Sequence, residues 1–318
     1  MKVRKVARKS PVLKNPAFGC LKGIPAVNVT RGCLHRCVYC YARSFPETPK
    51  AEIHLYENLP EKLRQELASR RRRGTLPWVA AFSTASDAFQ PHPKILEITF
   101  QAMKALLEAC VTVSFLTKGR IPERFWALFA AHAPLVQARF GLVSLDLGYH
   151  RLFEPRTATP YLRLRQLEKS ATLGLSPAAR IDPVIPGITD REETIESLMR
   201  HLVNVGVKEV SVSYLVLRPA VVKQMQRELP PRLFQKILTY YCGQPWVKVI
   251  TSATTKLARI EIREQGYNLF REIGRAYGLE VRICGCKNPD LPFEFCAPWE
   301  IRKRAPQPKQ LELFRRAS

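Results

Sequence analysis

Three cysteines fall within eight residues of the stretch TRGCLHRCVYCYAR: Cys33, Cys37 and Cys40. Thiolates that close on an irregular loop converge on one centre, and the two candidates are zinc and an iron-sulfur cluster. Structural zinc takes four protein ligands, usually as two separated pairs. His35, between the first two cysteines, would complete a four-ligand zinc set with Cys33, Cys37 and Cys40. A 4Fe-4S cube instead has four irons, each wanting a terminal ligand, so three thiolates leave one iron open to a substrate or cofactor. The absent fourth cysteine is then a requirement of the chemistry.

A second group lies near the C-terminus in RICGCKNPDLPFEFCAPW. Cys284 and Cys286 flank a glycine and Cys296 follows ten residues later, with Cys20 or Cys242 as a candidate fourth ligand. The set suits an auxiliary iron-sulfur cluster or a zinc ion; three unrelated thiols is the other reading, because a cysteine is often only a small buried hydrophobe. Cys110, between a helix and a strand, reads as such a core residue. Nine cysteines, an odd number, argue against a disulfide framework. The N-terminus MKVRKVARKSPVLK has basic residues without an apolar stretch after them, and no apolar run approaches a membrane span. The expectation is a cytoplasmic protein with no membrane partner.

These residues need a scaffold. Six β-branched or apolar runs read as strands: 26–30, 78–84, 111–117, 138–145, 178–185 and 209–215. Between them lie stretches with apolar residues at helical spacing, several opened by Pro, Thr or Asp. Alternation of this kind implies right-handed βαβ crossovers and a parallel sheet, whose ligands sit at the carboxyl ends of the strands. The segments after those ends carry the cysteine loop, STASDAFQP, KGR, SLDLGYHRLFEPR, PVIPGITD and RPA. Asp146 and Glu154 are further candidates on that rim, with Glu154 also readable as a salt-bridge partner of Arg156. The organisation expected is a basic N-terminal arm (1–25), a barrel core (26–219), a helical extension bearing the second cysteine group (220–300) and a basic tail (301–318).

The formal charge is +24, from runs such as Arg70 to Arg73, the RLRQLEK stretch from Arg163, and Arg315 with Arg316. An excess of this size creates a positive field that attracts phosphate backbones, which makes DNA or RNA a candidate partner. Solvation of helix faces by Lys and Arg is the plainer alternative.

Cys33-x3-Cys37-x-Tyr39-Cys40, directly after a first strand, resembles the signature of the radical S-adenosylmethionine superfamily. Within it, GCLHRCVYCYAR, SDAFQP, FLTKGR, FEPRTATPYLRLRQLEKSATLGL and DPVIPGITD are similar to the spore photoproduct lyase group, often labelled DNA repair photolyase. The resemblance covers about residues 30–190. It implies an α/β fold, a partial (β/α)6 TIM-like barrel with a helical, Cys-rich C-terminal extension. It implies a 4Fe-4S cluster on Cys33, Cys37 and Cys40 whose open iron chelates S-adenosylmethionine. One electron, from a donor such as flavodoxin or ferredoxin, then cleaves the sulfonium to methionine and a 5'-deoxyadenosyl radical that abstracts hydrogen from a substrate. Carried over by position, Tyr39 lines the adenine side of the cofactor, and Ser83, Lys118 and Ser144 supply polar contacts to it. One position departs: where the lyase has a hydrogen-donating cysteine, this chain has Thr84. An O–H bond is much stronger than an S–H bond, so that repair step is not expected here.

Two functions from different classes remain at this point. One is a radical enzyme acting on a nucleic acid; the other is a zinc-bearing nucleic acid binding protein without catalysis.

Overall fold

The structure, a computed structural model, describes residues 1–16, 19–249 and 254–291. Twelve strands run in chain order: β1 (Lys2–Val6), β2 (Ala26–Val27), β3 (Thr30–Arg31), β4 (Glu52–Tyr56), β5 (Val79–Phe82), β6 (Thr112–Thr117), β7 (Val136–Gly141), β8 (Ala178–Val184), β9 (Glu209–Tyr214), β10 (Val247–Lys248), β11 (Thr254–Thr255) and β12 (Glu280–Ile283). The helices are α1 (Leu59–Arg72), α2 (Pro93–Glu108), α3 (Glu123–Ala131), α4 (Leu147–Phe153), α5 (Pro160–Thr172), α6 (Glu192–Asn204), α7 (Pro219–Glu228), α8 (Pro231–Thr239) and α9 (Ile260–Ala276).

Seven strands form one sheet in the order β12-β9-β8-β7-β6-β5-β2, and every neighbouring pair is parallel. Six of them are the strands read from the sequence, in the sequential order that makes a partial barrel. The seventh, β12, is the short strand before Cys284. It pairs with β9 through Glu280–Glu209 and Ile283–Val212, so the C-terminal extension contributes to the barrel wall.

Parallel strands must be covered by their crossover helices, which explains why the outward positions are apolar. Phe115, Phe125, Phe129 and Phe140 are all fully buried behind the sheet, with the Phe89 ring 5.2 Å from that of Phe115 and 5.1 Å from that of Phe125. This cluster fixes the segment after β5 against β6 and α3. Pro160 opens α5 and Thr159 caps it, its hydroxyl accepting from the Leu162 N–H.

Three features differ from the sequence reading. The N-terminal arm carries β1, which pairs in parallel with β4, while β3 pairs antiparallel with β4 in a separate small sheet. Cys110 is exposed, not core: its φ of +60° ends α2 in the left-handed conformation, which turns the side chain outward. Arg163, counted among the surface charges, is 1% exposed.

Candidate active site

In a strand, alternate side chains face opposite sides, so the register identifies what lines the barrel. Leu116 pairs with Arg139, Arg139 with Ala178, Gly141 with Arg180, Arg180 with Ser211, and Ser211 with Arg282. These positions and those two apart from them share the inner face, which therefore carries Ser114, Arg139, Arg180, Asp182, Ser211, Ser213 and Arg282. Barrels of this class ordinarily fill their interior with branched apolar residues. Here the lumen is polar and charged.

The cysteine loop follows β3 at the carboxyl end of this lumen. Cys33, Cys37 and Cys40 are half-buried. Burial pushes the Cys37 and Cys40 thiols up, and the neighbouring cysteines add to both shifts, so the three sulfurs lie close enough to oppose one another's ionisation. A cationic centre offsets that cost. His35 is buried between the first two cysteines: the ring is 3% exposed, and its Nδ1 lies 3.4 Å from the Asp87 carboxylate. Burial alone would lower the His35 pKa; the Asp87 and then the Cys33 charges outweigh it and push it up to about 10. Among the described residues, no three His, Cys, Asp or Glu side chains are grouped as ligands of a single ion. That holds for the four-ligand zinc set and for the three thiols alike; Cys33, Cys37 and Cys40 nonetheless lie within electrostatic reach of one another on one loop.

Residues from the segment after β5 hold the loop from below. Asp87 accepts from the Phe89 and Lys118 N–H groups at 2.8 and 2.9 Å and from the Thr117 hydroxyl at 2.8 Å. Gln90, fully buried, accepts from the Leu34 N–H at 2.7 Å and donates to the Thr30 hydroxyl at 2.8 Å. Asn28 accepts from the Ala85 N–H at 2.9 Å and donates to the Thr84 hydroxyl at 2.7 Å. Thr84, at the position of the lyase cysteine, is thus a hydrogen-bonded hydroxyl, and its carbonyl accepts from the Tyr41 hydroxyl at 2.8 Å.

On the other side stands a buried ionic group. Glu154 is 1% exposed and pairs with Arg163 at 2.6 Å and Lys118 at 2.7 Å, correcting the expected Glu154–Arg156 bridge. Tyr39 donates its hydroxyl to Glu154 and accepts from Lys118. Burial by itself would raise the Glu154 pKa; the charges of Arg163 and Lys118 outweigh it and hold the carboxylate far below its usual range. The Arg163 guanidinium also donates to the Ala158 and Gly141 carbonyls at 2.8 and 2.7 Å. Gly141 leaves room for Lys118: a Cβ there would lie 2.5 Å from the Lys118 Cε and would displace that side chain.

Of the residues expected to contact a cofactor, Tyr39 and Lys118 are therefore joined. Ser83 and Ser144 lie at the ends of β5 and β7. Ser83 has a φ of +66° and its hydroxyl accepts from the Ala88 N–H at 3.1 Å. Ser144, 4% exposed, accepts from the Asp146 N–H at 3.1 Å, and Asp146 in turn caps α4 by accepting from the Gly148 N–H. Asp87, Gln90, Asn28 and Arg163 were not singled out from the sequence. The SDAFQP segment marked the place of two of them, but their partners are distant in the chain.

Across the lumen, Asp182 joins the end of β6 to the C-terminal extension. Its carbonyl accepts from Lys118 at 3.1 Å, and its carboxylate accepts from Lys287 at 2.6 Å and Arg180 at 2.9 Å. Cys284 is buried 3.8 Å from an Arg180 nitrogen, and half-buried Cys286 sits in the turn that delivers Lys287. Cys242 is exposed. Cys296 and the side chain of Cys20 lie outside the described residues.

A family model described as the radical SAM superfamily matches residues 27–216. An uncharacterized protein of Mycobacterium tuberculosis is 31% identical over 221 residues, covering 66% of this chain and 64% of that one. An uncharacterized protein of Acidianus two-tailed virus is 22% identical over 198 residues, 58% of this chain and 65% of that one. The chain thus spans just under two thirds of the length of these curated relatives. Among solved structures, spore photoproduct lyase with bound AdoMet and dinucleoside spore photoproduct superposes with a TM-score of 0.67 at 18% identity, covering 88% of this chain and 81% of that one. Streptococcus suis SuiB bound to S-adenosylmethionine gives 0.52 at 11% identity, covering 85% and 53%.

Proposed function

The chain belongs to the radical SAM superfamily, and from that premise we propose that it is an enzyme whose Cys33, Cys37 and Cys40 hold a 4Fe-4S cluster for reductive cleavage of S-adenosylmethionine. The observation that carries this is the loop itself: three cysteines within electrostatic reach of one another at the carboxyl end of a parallel barrel. Bound there, the cluster supplies the electron that breaks the sulfonium and so provides a hydrogen-abstracting radical.

The residues of the chain do the rest by position and charge. Lys118 offers an ammonium group to the cofactor carboxylate, a charge-assisted contact. Glu154 keeps that ammonium aimed, and Arg163 keeps Glu154 ionised. Tyr39 presents its ring beside the Lys118 ammonium, 4.8 Å from it, on the adenine side. Ser83 and Ser144 flank Lys118 on adjacent strand ends and supply hydroxyls.

The substrate in this reading carries phosphate, as DNA or RNA does. Support comes from the net charge of +24 and from Arg139, Arg180 and Arg282 on the lumen face. That a solved spore photoproduct lyase holds a dinucleoside photoproduct agrees with this, although Thr84 argues for a different closing step. Cys284, Cys286 and Cys296 are the proposed ligands of a second metal site. The compartment proposed is the reducing cytoplasm, where the thiols persist. No helix among the described residues is long and apolar enough to cross a membrane.

The test is anaerobic reconstitution with iron and sulfide, followed by iron counting and chromatography of 5'-deoxyadenosine after reduction with dithionite. The wild type forms it and Cys37→Ala does not. Equal formation by both, or a colourless protein containing only zinc, overturns the assignment. Iron per chain in Cys284→Ala against wild type separates one cluster from two.

A further inference from the structure

The partial barrel does not close: β2 and β12 are the two edges of its sheet, and among the described residues no ladder hydrogen bond joins them. The cysteine loop follows the β2 edge by way of β3, whereas α7 leaves β9, next to the other edge. Helix and loop meet across the opening. At the start of α7 the Arg218 guanidinium lies over the rings of Tyr41 and Phe45, 4.9 and 5.9 Å from their centres. In its middle Gln224, 4% exposed, donates its side-chain amide to the Val38 carbonyl, with the Cys37 carbonyl 3.5 Å from the same nitrogen. At its end Glu228 takes the Arg43 guanidinium in a two-pronged pair at 2.9 and 2.5 Å.

These contacts fall on the main chain between the ligands. Val38, the residue after Cys37, is held by both of its backbone groups: its N–H donates to the Phe153 carbonyl of α4 at 2.9 Å, and its carbonyl accepts from Gln224. The Cys37 carbonyl accepts from the Cys40 N–H at 3.1 Å, closing a turn around the two cysteines, and from Arg43 at 3.2 Å. Arg43 also donates to the Arg36 carbonyl at 3.2 Å, and its charge lies within electrostatic reach of Cys40. Gln224 must present its NH2 group here, because two carbonyl oxygens would repel an acceptor. Every side chain that reaches the loop's carbonyls from this side is therefore a donor, and Glu228 serves to aim one of them.

We propose that Gln224 and Arg43, the latter aimed by Glu228, are positioning residues: they hold the cysteine loop in the form that presents its thiols to one cluster, and the Arg43 charge favours the cluster's reduced form. The inference rests on the reading of the loop as the cluster site. Three thiolates repel one another, so an irregular loop that carries them needs restraint from outside. A bond from a buried side chain to a backbone carbonyl restrains the chain itself, and its removal leaves that carbonyl unpaired. Contacts of this outer kind orient metal ligands, and losing one costs about 10–100-fold in metal affinity. The electron that reduces the cluster adds a negative charge near a guanidinium only 12% exposed, where attraction is weakly screened.

The experiment uses the full chain, iron-free and reconstituted. In the iron-free chain, amide hydrogen exchange over residues 36–44, read by mass spectrometry, should quicken at least about tenfold in Q224M and in R43M, while peptides of α2 and α5 exchange as in the wild type. R43M, at the more exposed end of the clamp, carries the test if Q224M does not fold. In the reconstituted chain, both variants should lose iron to a chelator about 10–100-fold faster. The reduction potential of the cluster, from a titration followed by electron paramagnetic resonance, should fall in R43M by about 59 mV, a tenfold loss in a one-electron equilibrium. R43K, which keeps the charge and a donor, should regain the potential and most of the protection, whereas helix packing alone would leave the potential unmoved. Wild-type exchange over residues 36–44 in both variants overturns the proposal, as does exchange that rises equally in α2 and α5, or a potential that R43M does not shift. If the wild type takes up no iron, the cluster reading fails while exchange in the iron-free chain still decides the clamp.

Discussion

The two sides of the barrel mouth are built differently. On the side of β5, β6 and β7, the polar groups are sealed: Gln90, Glu154 and Arg163 are each at most 1% exposed and every one is held by several partners. On the side of β8, β9 and β12, the charges are half-open: Arg180, Asp182 and Arg282 keep 14–16% of their side-chain surface, and Lys287 keeps 30%. A buried network of reciprocal bonds defines one geometry, because any unpaired member would carry the full penalty of desolvation. Partly exposed pairs keep contact with water, which lowers the cost of losing a partner. The sealed side therefore suits an invariant cofactor, and the open side suits a substrate that must enter, bind and leave.

The largest effect on this contrast is expected from Glu154→Gln. It leaves Arg163 buried without a counter-charge and should cost about 3–5 kcal/mol of stability in chemical denaturation. The pH dependence has a definite sign. A carboxylate whose folded pKa lies below the ordinary 4.5 contributes fully above that value, and the contribution is lost as the pH falls beneath it. Wild-type stability should thus drop on acidification below about pH 4.5 more steeply than that of the variant. A variant within 1 kcal/mol of wild type, using about that margin as measurement error, would show that the side is not sealed.

Asp87→Asn should come next. It keeps the shape but removes the charge facing His35 and one acceptor among its backbone and hydroxyl partners, at a cost of about 1–3 kcal/mol. Arg282→Gln, on the open side, should have the smallest effect on folding, under about 1 kcal/mol, while lowering oligonucleotide affinity and flattening its salt dependence by about one phosphate contact. If Arg282→Gln instead unfolds the protein and leaves the affinity alone, the open side is structural and the contrast collapses.

The sheet was largely legible because its strands are buried on the helix side and read as β-branched runs such as VTVSFLT. The short strands KVRKV and EIHLY were not, since the first has charges interrupting its alternation, the second is only five residues long, and they pair only with each other and with β3. Within the site, the cysteines declare themselves by local spacing. Arg163 and Glu154 do not, because an arginine in a basic stretch looks solvated until a carboxylate nine residues earlier is turned inward beside it. Asn28 and Gln90 are similarly silent: each acts across more than 50 positions, on Ala85 and Leu34. Cys110 misled for the opposite reason, since a small apolar residue between helix and strand usually packs inward, and only its left-handed backbone turns it out.

The placement of β12 bears on how the molecule is made. While a nascent chain is still emerging, β9 presents an open row of unpaired amide and carbonyl groups, and the residues that cover it, Glu280–Ile283, are translated some 70 positions later. A message truncated between those points would release a product with a ready template for intermolecular pairing. Completing synthesis closes that edge and, in the same event, brings Lys287 to Asp182.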